Sequence, residues 1–282
     1  METVLVAGAS GHLGRCVVTE LRARGYRVRA LVRDPARSVG AADETVRSDL
    51  LDPPSLAAAC AGADVVFSCA GASMSLSSLR DRRGPLEVDW GGNRNLLAAA
   101  RGAGARKFVY VSVFGARGMR GLEYADAHER IADELKTSGM DHAIIRPTGF
   151  FSFFGEIAKM AKQGRGIVIG TGEAYTNPIH EADLAEVCAA AVAGDAREIS
   201  VGGPDVMTRA QIVELAFRAF GREPRLTRVP PAIFRASATV MRPFNRRMAA
   251  LLAFGAAVSQ VDCVAPSYGR RRLDDFFRTF AD

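Results

Sequence analysis

Residues Thr3–Arg15 read TVLVAGASGHLGR. Val4 to Ala7 make a short apolar run. Gly8, Gly11 and Gly14 follow at three-residue spacing, and an apolar-periodic segment with Leu13, Val17, Val18 and Leu21 begins at once. Strand, glycine turn and helix in this order are what a dinucleotide-binding βαβ unit needs. Gly8 allows a sharp turn off the strand, Gly11 lets the backbone approach a diphosphate, and Gly14 lets helix and strand pack closely. The helix start offers unpaired N–H groups and a partial positive charge to phosphates. Ser10, His12 and Leu13 belong to the same turn and join the three glycines as candidate cofactor contacts.

A second apolar run, Val28 to Val32, ends in Arg33, about where this fold meets the adenosine ribose. An acidic side chain there selects NAD; an arginine accommodates the 2′-phosphate of NADP. Arg33, helped by Arg37 and Arg15, makes NADP(H) the preferred cofactor, with NAD(H) left open. Asp34 is expected to turn away. A short strand ending in Asp49, followed by Leu50, is expected at the adenine edge. Val65 to Gly71 reads as a fully buried strand whose small terminal residues, Ala70 and Gly71, leave room for a cofactor. Val88 to Ala100 reads as a helix, Lys107 to Val113 as a strand, Tyr124 to Ser138 as a helix, and Ala143 to Arg146 as a strand stopped by Pro147. Residues 72–86 and 116–123 read as loops. This alternation predicts a doubly wound parallel α/β sheet over residues 1–150, with ligand beyond the carboxyl ends of its strands.

The 282 residues are 48% hydrophobic and 24% charged, an ordinary globular composition. The first apolar run is too short for a signal peptide. The five cysteines are scattered singly, which fits small buried hydrophobes in a reducing, cytoplasmic compartment. The four histidines are dispersed and no metal is expected. The net charge is +6. No helix-turn-helix, zinc or aromatic-rich module accompanies it, so a solvated basic surface is favoured over nucleic-acid binding. Met248 to Ala265 is the longest apolar stretch, but Ser259, Gln260 and Asp262 interrupt it, so no integral membrane segment is expected. A lid, a subunit contact or a membrane-surface patch stays open for it, as does a homo-oligomer.

The glycine motif, together with Leu31-Val32-Arg33-Asp34-Pro35, Tyr110-Val111-Ser112-Val113-Phe114-Gly115, Ile144-Ile145-Arg146-Pro147-Thr148-Gly149 and Asn177-Pro178-Ile179-His180, resembles the atypical short-chain dehydrogenase/reductases of the NmrA-like branch. Ser138-Gly139 and Asp183-Leu184-Ala185 belong to the same set. The likeness covers residues 3 to about 190. It implies a Rossmann domain and a smaller C-terminal α/β substrate region, residues 151–282, interleaved with the first. It also implies kinship with NADPH-dependent quinone and enone reductases, with regulators that bind the cofactor without turnover, and with an accessory subunit of respiratory complex I.

Enzymes of that family often pair a tyrosine with a lysine four residues later on one helix face, and place a serine at the preceding strand end. The lysine lowers the phenol pKa so that it can exchange a proton with the substrate oxygen. Ser112 and Tyr124 stand in those places, but the partner of Tyr124 is His128. His128 either donates the proton itself or grips a cofactor ribose; or the reaction needs no tyrosinate; or the protein is catalytically silent. A surface histidine beside Glu129 and Arg130 is the plain structural alternative. Pro147 is expected beside the nicotinamide. Phe114, Phe151, Phe154 and His180 are candidate substrate contacts, with Phe151, Phe153 and Phe154 equally readable as core. The expected reaction is NADPH-dependent reduction of a carbonyl, quinone or conjugated enone of a small apolar molecule. A non-catalytic NADP(H) sensor or scaffold, and an epimerase or dehydratase that recycles its cofactor, are the alternatives.

Overall fold

The computed structural model describes residues 1–36, 39–72 and 83–280. Arg37, a candidate ribose-side contact, and most of the expected loop 72–86 lie outside the described residues. The chain forms two compact units. One gathers Met1–Ala72, Arg83–Arg146 and Leu184–Ile199; the other holds Pro147–Asp183 and the chain from Ser200 onward. The chain leaves the first unit after Arg146 and returns to it for Leu184–Ile199.

In the first unit, β1 (Thr3–Ala7), α1 (His12–Ala23), β2 (Arg27–Val32), β3 (Glu44–Arg47), α2 (Pro53–Cys60) and β4 (Val65–Ser68) follow in turn. A π-helical turn, Leu86–Gly92, then runs straight into α3 (Asn93–Gly102). β5 (Lys107–Val111), α4 (Glu123–Thr137) and β6 (Asp141–Pro147) complete the alternation. The sheet order is β3-β2-β1-β4-β5-β6, closed at one edge by β9 (Glu198–Val201). Every pairing from β3 to β6 is parallel. This is the doubly wound order whose strand sequence reverses between β1 and β4, and such sheets take ligands in the crevice at that reversal.

The apolar runs become strands because both faces of a parallel sheet are covered. Val4, Leu5 and Val6 of β1, Val65 to Phe67 of β4, and Phe108 to Tyr110 of β5 are wholly buried. α1 buries Leu13, Val17, Val18 and Leu21, its expected apolar face. The expected helix Val88–Ala100 differs from what is found. Its first part is wound as a π-turn, which brings Asp89 inward, and only the remainder is α-helical. The carboxyl-side boundaries of β5 and β6 match the expected strand ends to within two residues.

The second unit begins with a 3₁₀ turn, Phe151–Phe154, then α5 (Gly155–Lys162), β7 (Gly166–Ile169) and β8 (Tyr175–Thr176). α6 (Glu181–Ala193) carries the chain back toward β9. β10 (Met207–Thr208), α7 (Arg209–Ala219), β11 (Leu226–Val229), α8 (Pro231–Met241), α9 (Arg246–Val258) and α10 (Leu273–Arg278) follow. Thr208 caps α7 in a full capping box with Gln211. Phe151, Val168, Ile212, Val213, Phe217, Leu273 and Phe277 form this unit's core. No helix among the described residues is long and apolar enough to cross a membrane.

Candidate functional site

The glycine turn leaves β1 at Gly8, whose φ is +84°. That is a left-handed backbone that only glycine adopts readily. A side chain on Gly14 would meet the Gly8 carbonyl oxygen at 2.0 Å, so α1 rests on the turn with no room for a methyl group. Gly11 caps α1 without any side-chain bond, and the first turn holds no acidic residue. The first N–H to be used inside the helix is that of Arg15, which donates to Gly11 O at 3.0 Å. The earlier N–H groups therefore point out of the helix end, beside exposed Gly11 and His12. Ser10 is half-buried, and Leu13 and Gly14 are buried. This uncapped, acid-free helix start fits a diphosphate.

Arg33 is exposed at the end of β2, the place expected to meet a 2′-phosphate. Asp34 Oδ1 accepts the Ala36 N–H at 3.0 Å, so its carboxylate is engaged in its own loop. Asp49 lies two residues beyond β3; it accepts the Leu51 N–H at 3.0 Å and pairs with Arg83 at 3.3 Å. Leu50 is buried against Gly92, and its carbonyl accepts from Asn95. Ala70 O accepts from Asn93 Nδ2 at 3.0 Å, and a Cβ on Gly71 would strike Asp89. The tips of β2, β3 and β4 are thus held by side chains from their own unit.

At the tip of β5, Ser112 is buried and its N–H donates to Ile145 O at 2.7 Å. Its hydroxyl accepts from Arg146 Nη1 at 3.3 Å. The Ser112 proton is thereby left to donate elsewhere. Arg146, buried near the end of β6, also pairs with Glu129, which is wholly buried on α4, and with Glu198 of β9. The salt bridges pull Glu198 below the usual carboxylate range although burial pushes it up. Arg117 and Arg120 reach Glu129 from outside at 3.6 Å.

Tyr124 and His128 share the buried face of α4, with ring centroids 4.7 Å apart, edge to face. Tyr110 of β5 lies 2.7 Å from His128 Nδ1. On its other side His128 Nε2 faces Asp89 Oδ1 at 3.4 Å, an ion-pair distance that leaves Nε2 buried without a hydrogen-bond partner. A carboxylate beside Nε2 favours a proton there, which makes Nδ1 the acceptor for the Tyr110 hydroxyl. Burial, with the Asp89 charge added, pushes the Tyr124 phenol well above its ordinary pKa, and Tyr110 likewise. Both phenols are neutral at physiological pH. His128 is therefore a buried group in a polar cluster, and the reading of it as a surface histidine is corrected: only 6% of it is exposed.

Asp89, Tyr110, Glu129 and Arg146 are the members of this cluster that sequence reasoning did not assign to it. One signal was present: Tyr110 in β5 and Ser112 just beyond its end are two apart in extended chain, hence on one face. Asp89 lies one turn before Asn93, whose Nδ2 donates to Asp89 O at 2.8 Å.

The remaining candidates are placed as follows. Phe114 is half-buried just after Ser112, and Pro147 ends β6. In the second unit Phe151 lies in the core, 5.4 Å from the His180 ring and 5.6 Å from Phe276, with only 1% exposed. Phe154 packs against that core, and Phe153 is exposed and stacks on Phe150. His180 precedes α6, and its Nδ1 accepts the Ala182 N–H at 3.0 Å. Burial, with the Arg271 charge, holds His180 below the ordinary histidine value, as a neutral cap. Asp183 lies in the first turn of α6, as expected, and its carboxylate also accepts from the backbone N–H groups of Arg270 and Arg271 and pairs with the Arg271 side chain. The five cysteines are all free thiols; burial pushes Cys60 up to about 11 and Cys69 to about 12. No metal-binding group of three or more ligands occurs among the described residues.

Residues 8–195 match the NAD(P)H-binding family. The divinyl chlorophyllide a 8-vinyl-reductase of Zea mays is 30% identical, over 98% of this chain and 78% of its own length. Its counterpart from Oryza sativa subsp. indica is 32% identical, and the chain spans 64% of that protein's length. Among solved structures, the NADPH-dependent quinone oxidoreductase QOR2 of Escherichia coli, complexed with NADPH, superposes with a TM-score of 0.77 at 20% identity. It covers 99% of this chain and all of the other, a likeness of fold. The glycine turn, the sheet order and these matches together make the chain a member of the NAD(P)H-binding family, with the two vinyl-reductases just named as its relatives.

Proposed function

We propose that this protein is an NADPH-dependent reductase of a double bond conjugated to an electron-withdrawing group, such as an enone, a quinone or a vinyl group on a conjugated ring. The carrying observation is the buried Tyr110–His128–Asp89 set on the face where a tyrosine and lysine would otherwise act. Burial, with the Asp89 charge added, raises the Tyr124 phenol pKa. A tyrosinate is thus not available, and chemistry that needs only proton donation suits the site better. A conjugated acceptor is such a case, since hydride addition leaves an enolate-like anion to be protonated.

Bound NADPH supplies the hydride. Ser112, its oxygen engaged by Arg146, donates a hydrogen bond to the anion that develops on the substrate. His128 holds a proton at Nε2, steadied by Asp89, and Tyr110 fixes its tautomer. Tyr124 stays protonated and serves as a second donor. The vinyl-reductase relatives, at 30% and 32% identity, support this acceptor class. The test offers purified protein and NADPH a panel of quinones, enones and vinyl-substituted conjugated rings, following absorbance loss and product. Turnover with at least one conjugated acceptor is expected. Tight cofactor binding without turnover on any acceptor would favour the sensor or scaffold reading, to which a 29% identical photosystem II assembly factor from Synechocystis lends the support of kinship.

Cofactor choice gives a separate expectation. Arg33→Ala is expected to weaken NADPH binding roughly 10- to 100-fold, the worth of a charge-assisted bond to phosphate, and to leave NADH nearly unchanged. Titration of both cofactors against both proteins checks it. Equal losses for the two nucleotides would remove Arg33 from the 2′-phosphate.

A further inference from the structure

The 38 residues from Pro224 to Val261 hold six arginines and no aspartate or glutamate. The whole excess of positive charge therefore resides in this one segment, and the rest of the chain balances 31 basic residues against 31 acidic ones. The segment forms β11, α8 and α9. α8 packs on α9, and Ala238 is the one buried residue of α8. Ile233 and Val240, seven positions apart and so on one helix face, are 54% and 69% exposed. Phe244, in the turn after α8, is also 69% exposed. Arg235 and Arg242 repeat the same seven-residue spacing on another exposed side, and Arg225 and Arg228 are exposed on the approach through β11.

Large apolar side chains gathered on one element, within a strongly basic segment, mark a surface that meets something both apolar and anionic. We propose that α8 and the turn after it rest on an anionic lipid bilayer. Ile233, Val240 and Phe244 enter the headgroup–acyl boundary, and the exposed Arg225, Arg228, Arg235 and Arg242 draw the segment to the negatively charged surface. Shape favours lipid over a protein partner. The side chains stand out from a convex helix, and a fluid acyl boundary accepts them without a complementary groove. A nucleic acid would engage the arginines and leave the three apolar side chains in water.

Co-sedimentation of the full chain with vesicles tests this. Binding is expected to phosphatidylcholine vesicles containing phosphatidylglycerol, to be much weaker to phosphatidylcholine alone, and to fall as salt rises. Arg235→Gln with Arg242→Gln is expected to lower binding to the anionic vesicles roughly thirtyfold, at about a factor of five per arginine. Ile233→Ser with Val240→Ser and Phe244→Ser is expected to abolish retention on both vesicle types. All these positions are exposed, so the far-UV spectrum and NADPH affinity serve as controls and are expected to stay unchanged. A wild-type chain that stays in the supernatant with anionic vesicles would overturn the proposal. So would binding that ignores both sets of substitutions, or retention only when a protein or a nucleic acid is added.

Discussion

Replacing Arg146 by methionine is expected to cost about 3 kcal/mol of unfolding free energy, the low end of the range for breaking a buried ion pair from one side. Glu129 is wholly buried and would lose its bidentate partner. Arg117 and Arg120, each 3.6 Å away and largely in water, would recover part of the loss, which sets the low end. Urea melts of the single and double variants provide the check. Arg146→Met with Glu129→Met is expected to be more stable than Arg146→Met alone, because the double change leaves no buried charge unpaired. A single variant as stable as the parent would show that the pair is not what holds the tips of β5 and β6. Glu198 adds a pH dependence. Its folded pKa is depressed, so its contribution is present above the unfolded carboxylate value and is lost as pH falls through the lower folded one. The parent is therefore expected to lose stability in the acid range faster than Arg146→Met.

The second large effect concerns turnover. His128→Phe is expected to lower kcat roughly 100-fold on a productive acceptor, the cost of misplacing the groups that the imidazole positions. Phenylalanine keeps the edge contact with Tyr124 and removes both ring nitrogens. Asp89→Asn is expected to lower kcat less, since it removes the charge beside Nε2 and leaves the ring in place. NADPH affinity should change little in either variant. If His128→Phe retains parental kcat, Ser112 and Tyr124 carry the proton chemistry and the imidazole is structural.

Much of the first unit could be read directly from residues. Parallel strands covered on both faces appear as unbroken apolar runs, and Val65–Phe67 and Phe108–Tyr110 are such runs. The glycine spacing carries steric information that needs no partner strand, as Gly14 shows. The polar cluster was harder. Asp89 enters because the chain winds a π-turn at Leu86–Gly92, and no periodicity distinguishes that from an α-helix. Glu129 stands beside Arg130 on a charged helix and reads as solvated, yet it is buried because Arg146 arrives from a strand 17 residues later. Tyr110 looks like a core aromatic; only the imidazole at 2.7 Å gives its hydroxyl a role. Phe151 shows the converse, a residue equally readable as wall or core that the fold encloses with Phe276 and His180.

The proposed function rests on an acid-free, uncapped start of α1 that would hold the cofactor's diphosphate. Calorimetric titration of the purified chain with NADPH and NADH tests this most directly. A saturable one-site isotherm is expected, tighter for NADPH. A flat isotherm for both nucleotides would contradict it and would leave Ser112, Tyr124 and His128 without a hydride to complement.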